Sequence, residues 1–559
     1  MKVISRFIST IIVIVMVMSF STTAFGAEVD LAGEGANTAA SAVAYNHNIT
    51  GTILESEELP SYYSSRDNGF TTSIRNQMYN ACWAYGALAT LESAALKLGF
   101  DIEQFAPMHA NHWGTQREDG TGWSRDYYSG GYSYIALGYL SSWQGPINES
   151  DYPELTSQQM YDELTLSSAK QIATNGIIYL DTGDIDTVKT AVYKYGAALG
   201  NYHVNDFYHN YDTNAYFCNQ EGLTTAQLNG HAISIVGWDD NFSKDNFKEF
   251  ARPQNDGAWL CKNSWGDTFG DEGYYWISYE DFYLFDTRFG HSYAFSDISV
   301  FDTENKLYQN EIDGATYEFN YANSGSVTYI NVFDKDSAFD TIEKVNFETT
   351  SSGALYNIYN IPLNENMVPV RDKSSWQVLS SGVVSYQGYH SIDTEDFKIK
   401  GEKFAIGVEL TSNNGSGNSI GVSEWLTSGG RKIFTPQSTY GMSYIQYDDI
   451  YELDVMDFYK QALNDDIGGT FVIKAIGKET EIVYEIGDVD LDSKVTVMDA
   501  TAIQQHIAQI RIFNEKQLSL ADTDGDQCVS IMDATIIQQK VAGLLDNSDD
   551  EFEDLEELI

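Results

Sequence analysis

Twelve residues near the carboxyl end of this chain occur twice, 34 positions apart, and the repeat restricts local folding more tightly than any other stretch. Asp488-Val489-Asp490-Leu491-Asp492-Ser493-Lys494-Val495-Thr496-Val497-Met498-Asp499 returns as Asp522-Thr523-Asp524-Gly525-Asp526-Gln527-Cys528-Val529-Ser530-Ile531-Met532-Asp533. Each copy offers side-chain oxygens at loop positions 1, 3, 5, 9 and 12 and a backbone carbonyl at 7, the hard-ligand set that Ca²⁺ takes in a flexible loop. The candidate ligands are Asp488, Asp490, Asp492, Thr496 and Asp499 with the Lys494 carbonyl, then Asp522, Asp524, Asp526, Ser530 and Asp533 with the Cys528 carbonyl. Two calcium ions are expected. A chance run of acids would not also repeat Met-Asp-Ala-Thr and Ile-Gln-Gln. Each loop leads into a helical pattern, with Ile503 and Ile507 apolar in one copy and Ile537 and Val541 in the other, and no helix is expected before either loop. Position 6, where the turn favours a residue tolerant of unusual dihedrals, is Ser493 in one loop and Gln527 in the other.

The 559 residues exceed one ordinary core, so several domains are expected. With 81 acids against 32 bases the formal charge is −49. Such a surface repels phosphate backbones and anionic membranes, which argues against nucleic acid as a partner. Lys2 and Arg6 precede an apolar run from Ile11 to Phe20, and Ala24-Phe25-Gly26 supplies small residues for cleavage. Residues 1–26 therefore read as a secretory signal peptide. No other stretch approaches the ~18 apolar residues of a membrane span, so an exported chain without a transmembrane anchor is expected. Only four cysteines occur, Cys82, Cys218, Cys261 and Cys528, too few for a disulfide framework. Residues 27–58 are small, polar and weakly periodic, and read either as a pro-segment or as a plain tether.

Cys82 stands at the mouth of an apolar helical pattern running through Ala87, Leu88, Leu91, Ala94, Ala95 and Leu98. A sulfur there faces unsatisfied N–H groups and the positive end of the macrodipole, which favours the thiolate. His231 lies at the edge of the β-branched run Ala232-Ile233-Ser234-Ile235-Val236, and Asn263 follows the short apolar strand Trp259-Leu260-Cys261. An uncharged amide oxygen can hold the imidazole of a Cys–His pair in the working tautomer. Gln77 can offer its NH₂ to an oxyanion beside the Cys82 N–H. Together these blocks, Gln77 with Cys82-Trp83-Ala84, His231-Ala232, and Lys262-Asn263-Ser264-Trp265-Gly266, resemble the papain-like cysteine peptidases. The resemblance extends from about Leu59 to Phe295, through Leu59-Pro60-Ser61 with Arg66, Ser129-Gly130-Gly131-Tyr132 and Gly270-Asp271-Glu272-Gly273-Tyr274. It implies an α+β two-lobed peptidase at 59–297, a peptide or protein substrate, a backbone-binding role for Gly130 and Gly131, and a Trp265 that shields the Asn–His bond. This chain has one residue fewer between Gln77 and Cys82 than the family usually has, and Tyr79 where a cysteine is frequent. His109, His112, His203, His209 and His291 show no ligand-like pairing with cysteines or acids and are read as structural or surface residues.

From Ser299 to Glu479 large apolar residues fall on every second position, as in Phe404–Leu410, with similar runs at Val327–Phe333, Leu355–Ile361 and Phe471–Ile476. Such spacing indicates an antiparallel sandwich or jelly roll. Around Tyr386-Gln387-Gly388-Tyr389-His390 this region, taken as 298–480, resembles the lectin-like β-domain of clostridial-type papain-like peptidases, which leaves a carbohydrate ligand open. The duplicated loops, with Asp at position 12, resemble a type I dockerin at 484–545, whose partner would be a cohesin on a cellulosome scaffold. An acidic tail closes the chain at 546–559. The expectation is a multidomain secreted cysteine endopeptidase with a Cys-His-Asn site, needing no cofactor for catalysis and tethered outside the cell through calcium. The competing expectation is an inactive peptidase fold kept as a binding or adhesion component.

Overall fold

In a computed structural model of the chain, residues 58–152, 169–320, 325–428, 431–447, 450–463, 468–479 and 484–544 are described, together with the backbone of 37–38. The expected signal peptide and acidic tail lie outside the described residues. The chain divides into two compact units, Met1–Glu479 and Thr480–Ile559.

The first unit is built around helix α1 (Cys82–Lys97), which is buried from Cys82 through Ala95. A helix apolar on nearly every face belongs inside a core. It is accompanied by α2 (Pro107–Trp113), α3 (Ser133–Ser141) and α4 (Ile185–Tyr195), the last capped by Asp184, which accepts from the Thr187 N–H. Gly86 sets how closely α1 approaches the strand Asn229–Asp239. A Cβ at Gly86 would stand 3.0 Å from Leu199 Cδ1 and 3.4 Å from the Ala232 carbonyl carbon. The absent side chain brings the amino-terminal turns of α1 against the start of that strand.

One long sheet carries the site. Its catalytic-side strands run in the order Ile172–Tyr179, Tyr293–Val300, Ala198–His203, Asn229–Asp239, Ala258–Lys262 and Tyr274–Ser278. Beyond Ile172–Tyr179 the same sheet continues into Gly388–Lys398, Thr341–Thr349 and Ile473–Lys478 of the β-region. The junction pairs Gly388 with Ile178 and Tyr389 with Ile177. Gly388 has φ +137°, and a Cβ there would lie 2.0 Å from the Ile177 carbonyl oxygen, so only glycine fits. The Gly388 motif that suggested a lectin-like domain thus lies where the two regions are joined. A second backbone junction pairs Trp123 with Phe434 and Gly122 with Thr435. Buried polar contacts cross the same boundary: Arg117 forks onto Asp313 at 2.9 and 2.6 Å, and the Tyr179 hydroxyl donates to Glu348 at 2.5 Å.

The expected sandwich is present. A six-stranded sheet, which includes Leu355–Ile361, Lys403–Thr411 and Ser326–Asp334, faces the β-region's end of the long sheet across a core of Tyr329, Val345, Phe347, Ile406 and Val408. The run expected at Phe471–Ile476 divides at Val472 into Gly469–Phe471 and Ile473–Lys478, which serve different sheets. This is how a sandwich turns a corner. The β-region also contains helix α5 (Val455–Leu463), which the alternation did not reveal.

The second unit holds α6 (Val497–Ile507), α7 (Glu515–Ala521) and α8 (Ile531–Val541). Thr496 and Ser530 open α6 and α8 with matched capping boxes, completed by Asp499 and Asp533. One expectation is corrected here. Helix α7 does precede the second loop. Of the matched apolar pairs, Ile503 and Ile537 are buried but Ile507 and Val541 are exposed, because Phe513, Leu520 and Ala521 fill the core between the two repeats instead.

Candidate active site and calcium loops

Cys82 is the first residue of α1. No acidic residue lies in the first turn and no side chain caps it, so nothing there opposes the positive end of the helix. Cys82 and Ala232, the residue after His231, belong to one apolar cluster. His231 is on the strand paired with Ala198–His203, opposite Tyr202. Its Nε2 and the Asn263 Oδ1 are 2.8 Å apart. That bond assigns the proton to Nε2 and leaves Nδ1 as the nitrogen able to take a proton from a thiol. Asn263 Oδ1 is fixed in turn by the Ser264 N–H at 2.8 Å. The Trp265 ring stacks on the imidazole at 4.4 Å, so the hydrogen bond sits under an apolar cover. Burial pulls the imidazole of His231 down to about 4, with the Asn263 bond working the other way. An imidazolium here is therefore favoured only with an anion beside it.

Gln77 is joined to the same strand end: its N–H donates to the Ser264 carbonyl at 2.6 Å, and its Oε1 accepts from Ser264 Oγ at 2.7 Å. Its Nε2 gives one proton to the Tyr79 carbonyl at 3.0 Å, leaving a second N–H on the same nitrogen. The shortened connection from Gln77 to Cys82 turns at Tyr79, whose φ is +52°.

Gly130 and Gly131 play different parts. The Gly130 carbonyl accepts from Arg125 Nε at 2.9 Å. Arg125 also donates to the Ser129 carbonyl at 2.6 Å and Asn111 Oδ1 at 2.6 Å, which pins the glycine loop. A Cβ at Gly131 would be 2.5 Å from Trp83 Nε1, so this glycine makes room for the protein's own indole. Sequence reasoning missed Arg125, although an arginine shortly before a glycine pair is the kind of residue that clamps a loop by its fork. It also missed the anchor of Lys262, whose Nζ donates to the Thr72 carbonyl and hydroxyl, both at 2.8 Å. Burial pulls Lys262 down to about 8, with Glu92 opposing the shift. The two outer blocks of the resemblance meet as well, since Arg66 pairs with Asp271 at 2.6 Å and Glu272 at 2.7 Å.

One histidine reading is corrected. His291 Nδ1 lies 2.6 Å from Asp181 Oδ2, and its ring stacks on Tyr179 at 4.0 Å. Burial opposes its charge, yet the Asp181 carboxylate, with Glu348 and Glu318 beyond it, raises the His291 pKa. The cysteines carry no disulfide, and burial pushes the Cys218 thiol up to about 11.

In the second unit, carboxylate oxygens of Asp488, Asp490 and Asp492 lie within 4.8 Å of one another, as do those of Asp522, Asp524 and Asp533. Asp488 Oδ2 and Asp522 Oδ1 are buried with no hydrogen-bond partner. A buried carboxylate oxygen left without a donor fits a cation. Asp499 Oδ1 accepts from the N–H groups of Val489 and Asp490, at 2.9 and 3.0 Å, and its Oδ2 from Thr496 at 2.8 Å, tying the start of the loop to its end. Ser493 and Gln527 adopt φ of +65° and +67°, the conformation for which glycine is suited. Of the other expected carboxylate ligands, Asp499 and Asp526 are outside these two groups, and Cys528 is exposed.

Comparison with known proteins matches residues 59–283 to the papain family cysteine protease model, 307–476 to the lectin like domain and 486–542 to the dockerin type I domain. The clostridial cysteine protease Cwp84 after propeptide cleavage superposes with TM-score 0.67 at 32% identity, over 75% of this chain and 100% of that one. The cysteine protease and lectin-like domains of Cwp84, a surface layer associated protein of Clostridium difficile, give TM-score 0.69 at 31% identity, over 79% of this chain and 94% of that one. Among curated proteins, cathepsin B-like cysteine proteinase 3 of Caenorhabditis elegans is 27% identical over 41% of this chain and 64% of its own length. The chain thus spans under two thirds of the length of the curated relatives it matches.

Proposed function

This chain belongs to the papain family of cysteine proteases, and from that premise we propose that it is a secreted endopeptidase working through Cys82, His231 and Asn263. The observation that carries the reading is the His231–Asn263 bond of 2.8 Å beneath Trp265. Proton transfer from Cys82 Sγ to His231 Nδ1 creates thiolate and imidazolium together, so the buried imidazolium gains the anion it needs. The thiolate adds to the scissile carbonyl, and the developing oxyanion is met by the Cys82 N–H and the second N–H of Gln77. Collapse of that adduct passes the Nδ1 proton to the departing amine and leaves a thioester on Cys82. Water, deprotonated by the same nitrogen, then releases the acid. Asn263 holds the ring in register through both halves.

The proposed division of the chain is a signal peptide at 1–26, a pro-segment at 27–58, the peptidase at 59–297, the lectin-like domain at 298–480, the dockerin at 484–545 and a tail at 546–559. The backbone of Asn37–Thr38 pairs with Gly230 and Asn229, next to His231, which favours a blocking pro-segment over a plain tether. Among the described residues no helix is long and apolar enough to cross a membrane. The dockerin would hold two calcium ions through the duplicated loops and dock on a cohesin, retaining the enzyme on an extracellular cellulosome scaffold. Replacing Cys82 with alanine should abolish peptide hydrolysis while leaving circular dichroism unchanged. Hydrolysis persisting at the wild-type rate would defeat the assignment.

A further inference from the structure

Gly130-Gly131 is the least constrained dipeptide from which a cleft wall could be built, because glycine gives up the most backbone freedom on becoming ordered. Gly131 nevertheless lines one narrow space with Trp83 and His231. Its order comes from Arg125. Five hydrogen bonds leave that guanidinium, as many as it has N–H donors, and each of these acceptors is an uncharged oxygen. Nε donates to the Gly130 carbonyl at 2.9 Å and Nη2 to the Ser129 carbonyl at 2.6 Å. Nη1 donates to the carbonyls of Asn111 and Gly114 at 3.0 and 3.1 Å, and Nη2 to Asn111 Oδ1 at 2.6 Å, so the glycine loop is tied to the end of α2. Asn111 answers in kind, its Nδ2 donating to the Tyr127 carbonyl at 2.8 Å. The guanidinium carbon also lies 5.3 Å from the centre of the Trp83 ring, next in sequence to Cys82. All four cysteines are free, so no disulfide ties this loop to the Cys82 helix. The Gln77–Cys82 connection reaches it through the Tyr79 ring, edge-on to Tyr128 at 4.8 Å, and through Asn80 Nδ2, which donates to the Tyr128 carbonyl at 3.3 Å.

We propose that Arg125 is a positioning residue of the peptidase: by fixing Ser129 and Gly130 against the end of α2, it holds the glycine wall at the spacing from Cys82 that an extended substrate backbone needs. The inference rests on the reading of Cys82 and His231 as the peptide-cleaving pair and goes beyond it by naming what orders the facing wall. Arg125 acts through the loop and not on the sulfur. Without it, the ordering of two glycines becomes a cost of substrate binding. A lysine cannot stand in, because its three donors diverge from one nitrogen and cannot span acceptors on two segments as a planar fork does.

The test compares full-length wild type, Arg125→Ala and Arg125→Lys in two assays. One is cleavage of a peptide library, with kcat and KM then measured on the best substrate. The other is alkylation of Cys82 by iodoacetamide, a reagent too small to need the glycine wall. Both variants should lose on the order of 30-fold in kcat/KM, the size expected for ordering about two residues, chiefly as a higher KM. The alkylation rate and its pH profile should stay within about twofold of wild type. A role confined to folding would lower both assays together with the melting temperature, and a role in ionising the thiol would move the alkylation profile. Either result overturns the inference. So does a kcat/KM within about threefold of wild type in either variant, or a loss carried by kcat alone. Where the alanine variant does not fold, the lysine variant, which keeps the charge and much of the length, gives the same reading; failure of both to fold also overturns the inference. Wild type that cleaves no library member defeats the peptidase reading and the inference with it, whereas an active wild type with an indifferent Arg125 overturns the inference alone.

Discussion

At the scale of single residues, the site depends on side chains whose roles are set by what holds them. Asn263 carries no charge, and its value lies in a fixed oxygen. Asn263→Ala should lower kcat by roughly 100-fold with little change in KM, since the ring loses its orientation and not its substrate contacts. Asp281 gives a pH-dependent handle. It accepts from the N–H groups of Cys218, Tyr283 and Leu284, but burial prevails and pushes its carboxyl up to about 7. A carboxyl raised in the folded state adds stability that is full below about pH 4 and is lost as the pH climbs through about 7. Asp281→Asn should therefore gain on the wild type between pH 5 and pH 8, by on the order of 1–3 kcal/mol in thermal unfolding compared at the two values. A constant difference across that range would contradict the shift. The proposed catalytic pair stood out in the sequence because each member sits where periodicity changes: Cys82 at the head of a helical pattern, His231 at the edge of an apolar strand. His291 was not, because its partner Asp181 is 110 residues away and leaves no local mark.

At the scale of elements, the duplicated loops were visible as repeated acids, each leading into a helix. Helix α7 was missed because it has seven residues and little apolar pattern, and its start depends on the Asn514–Gln517 capping box. The exposure of Ile507 and Val541 has the same origin, for residues between the repeats occupy the space that a two-helix core would have given them. The left-handed residues at position 6 yield a direct prediction. Gln527→Gly and Ser493→Gly should each tighten calcium binding by about 0.5–1 kcal/mol, a two- to fivefold shift in a calcium titration followed by circular dichroism. Weaker binding in both variants would mean that the side chains contribute more than their conformation costs. In the sandwich, strand identity was legible from alternation, but the corner at Val472 was not, since alternation continues unbroken through a change of sheet.

At the scale of the whole molecule, calcium removal should melt only the second unit. In a calorimetric scan with chelator, a transition belonging to residues 484–544 should fall or vanish while that of the first unit stays in place. The first unit was expected as two domains in series, and its two backbone junctions could not be seen in advance. Gly388 and Ile178 are 210 positions apart, and nothing in either stretch marks the other as its neighbour. Gly388→Ala should cost about 2–4 kcal/mol of that unit's stability, because the added carbon meets a carbonyl and the dihedral is closed to it. Gly325→Ala, where nothing lies within 4 Å, should stay within about 0.5 kcal/mol. The shared ladder also bears on how such an enzyme can be cut down. A fragment stopped near residue 297 would leave the Ile172–Tyr179 strand as a raw margin with its outward N–H and carbonyl groups idle, and such fragments should stick to one another in solution. The sandwich is a selvedge that keeps the catalytic cloth from fraying.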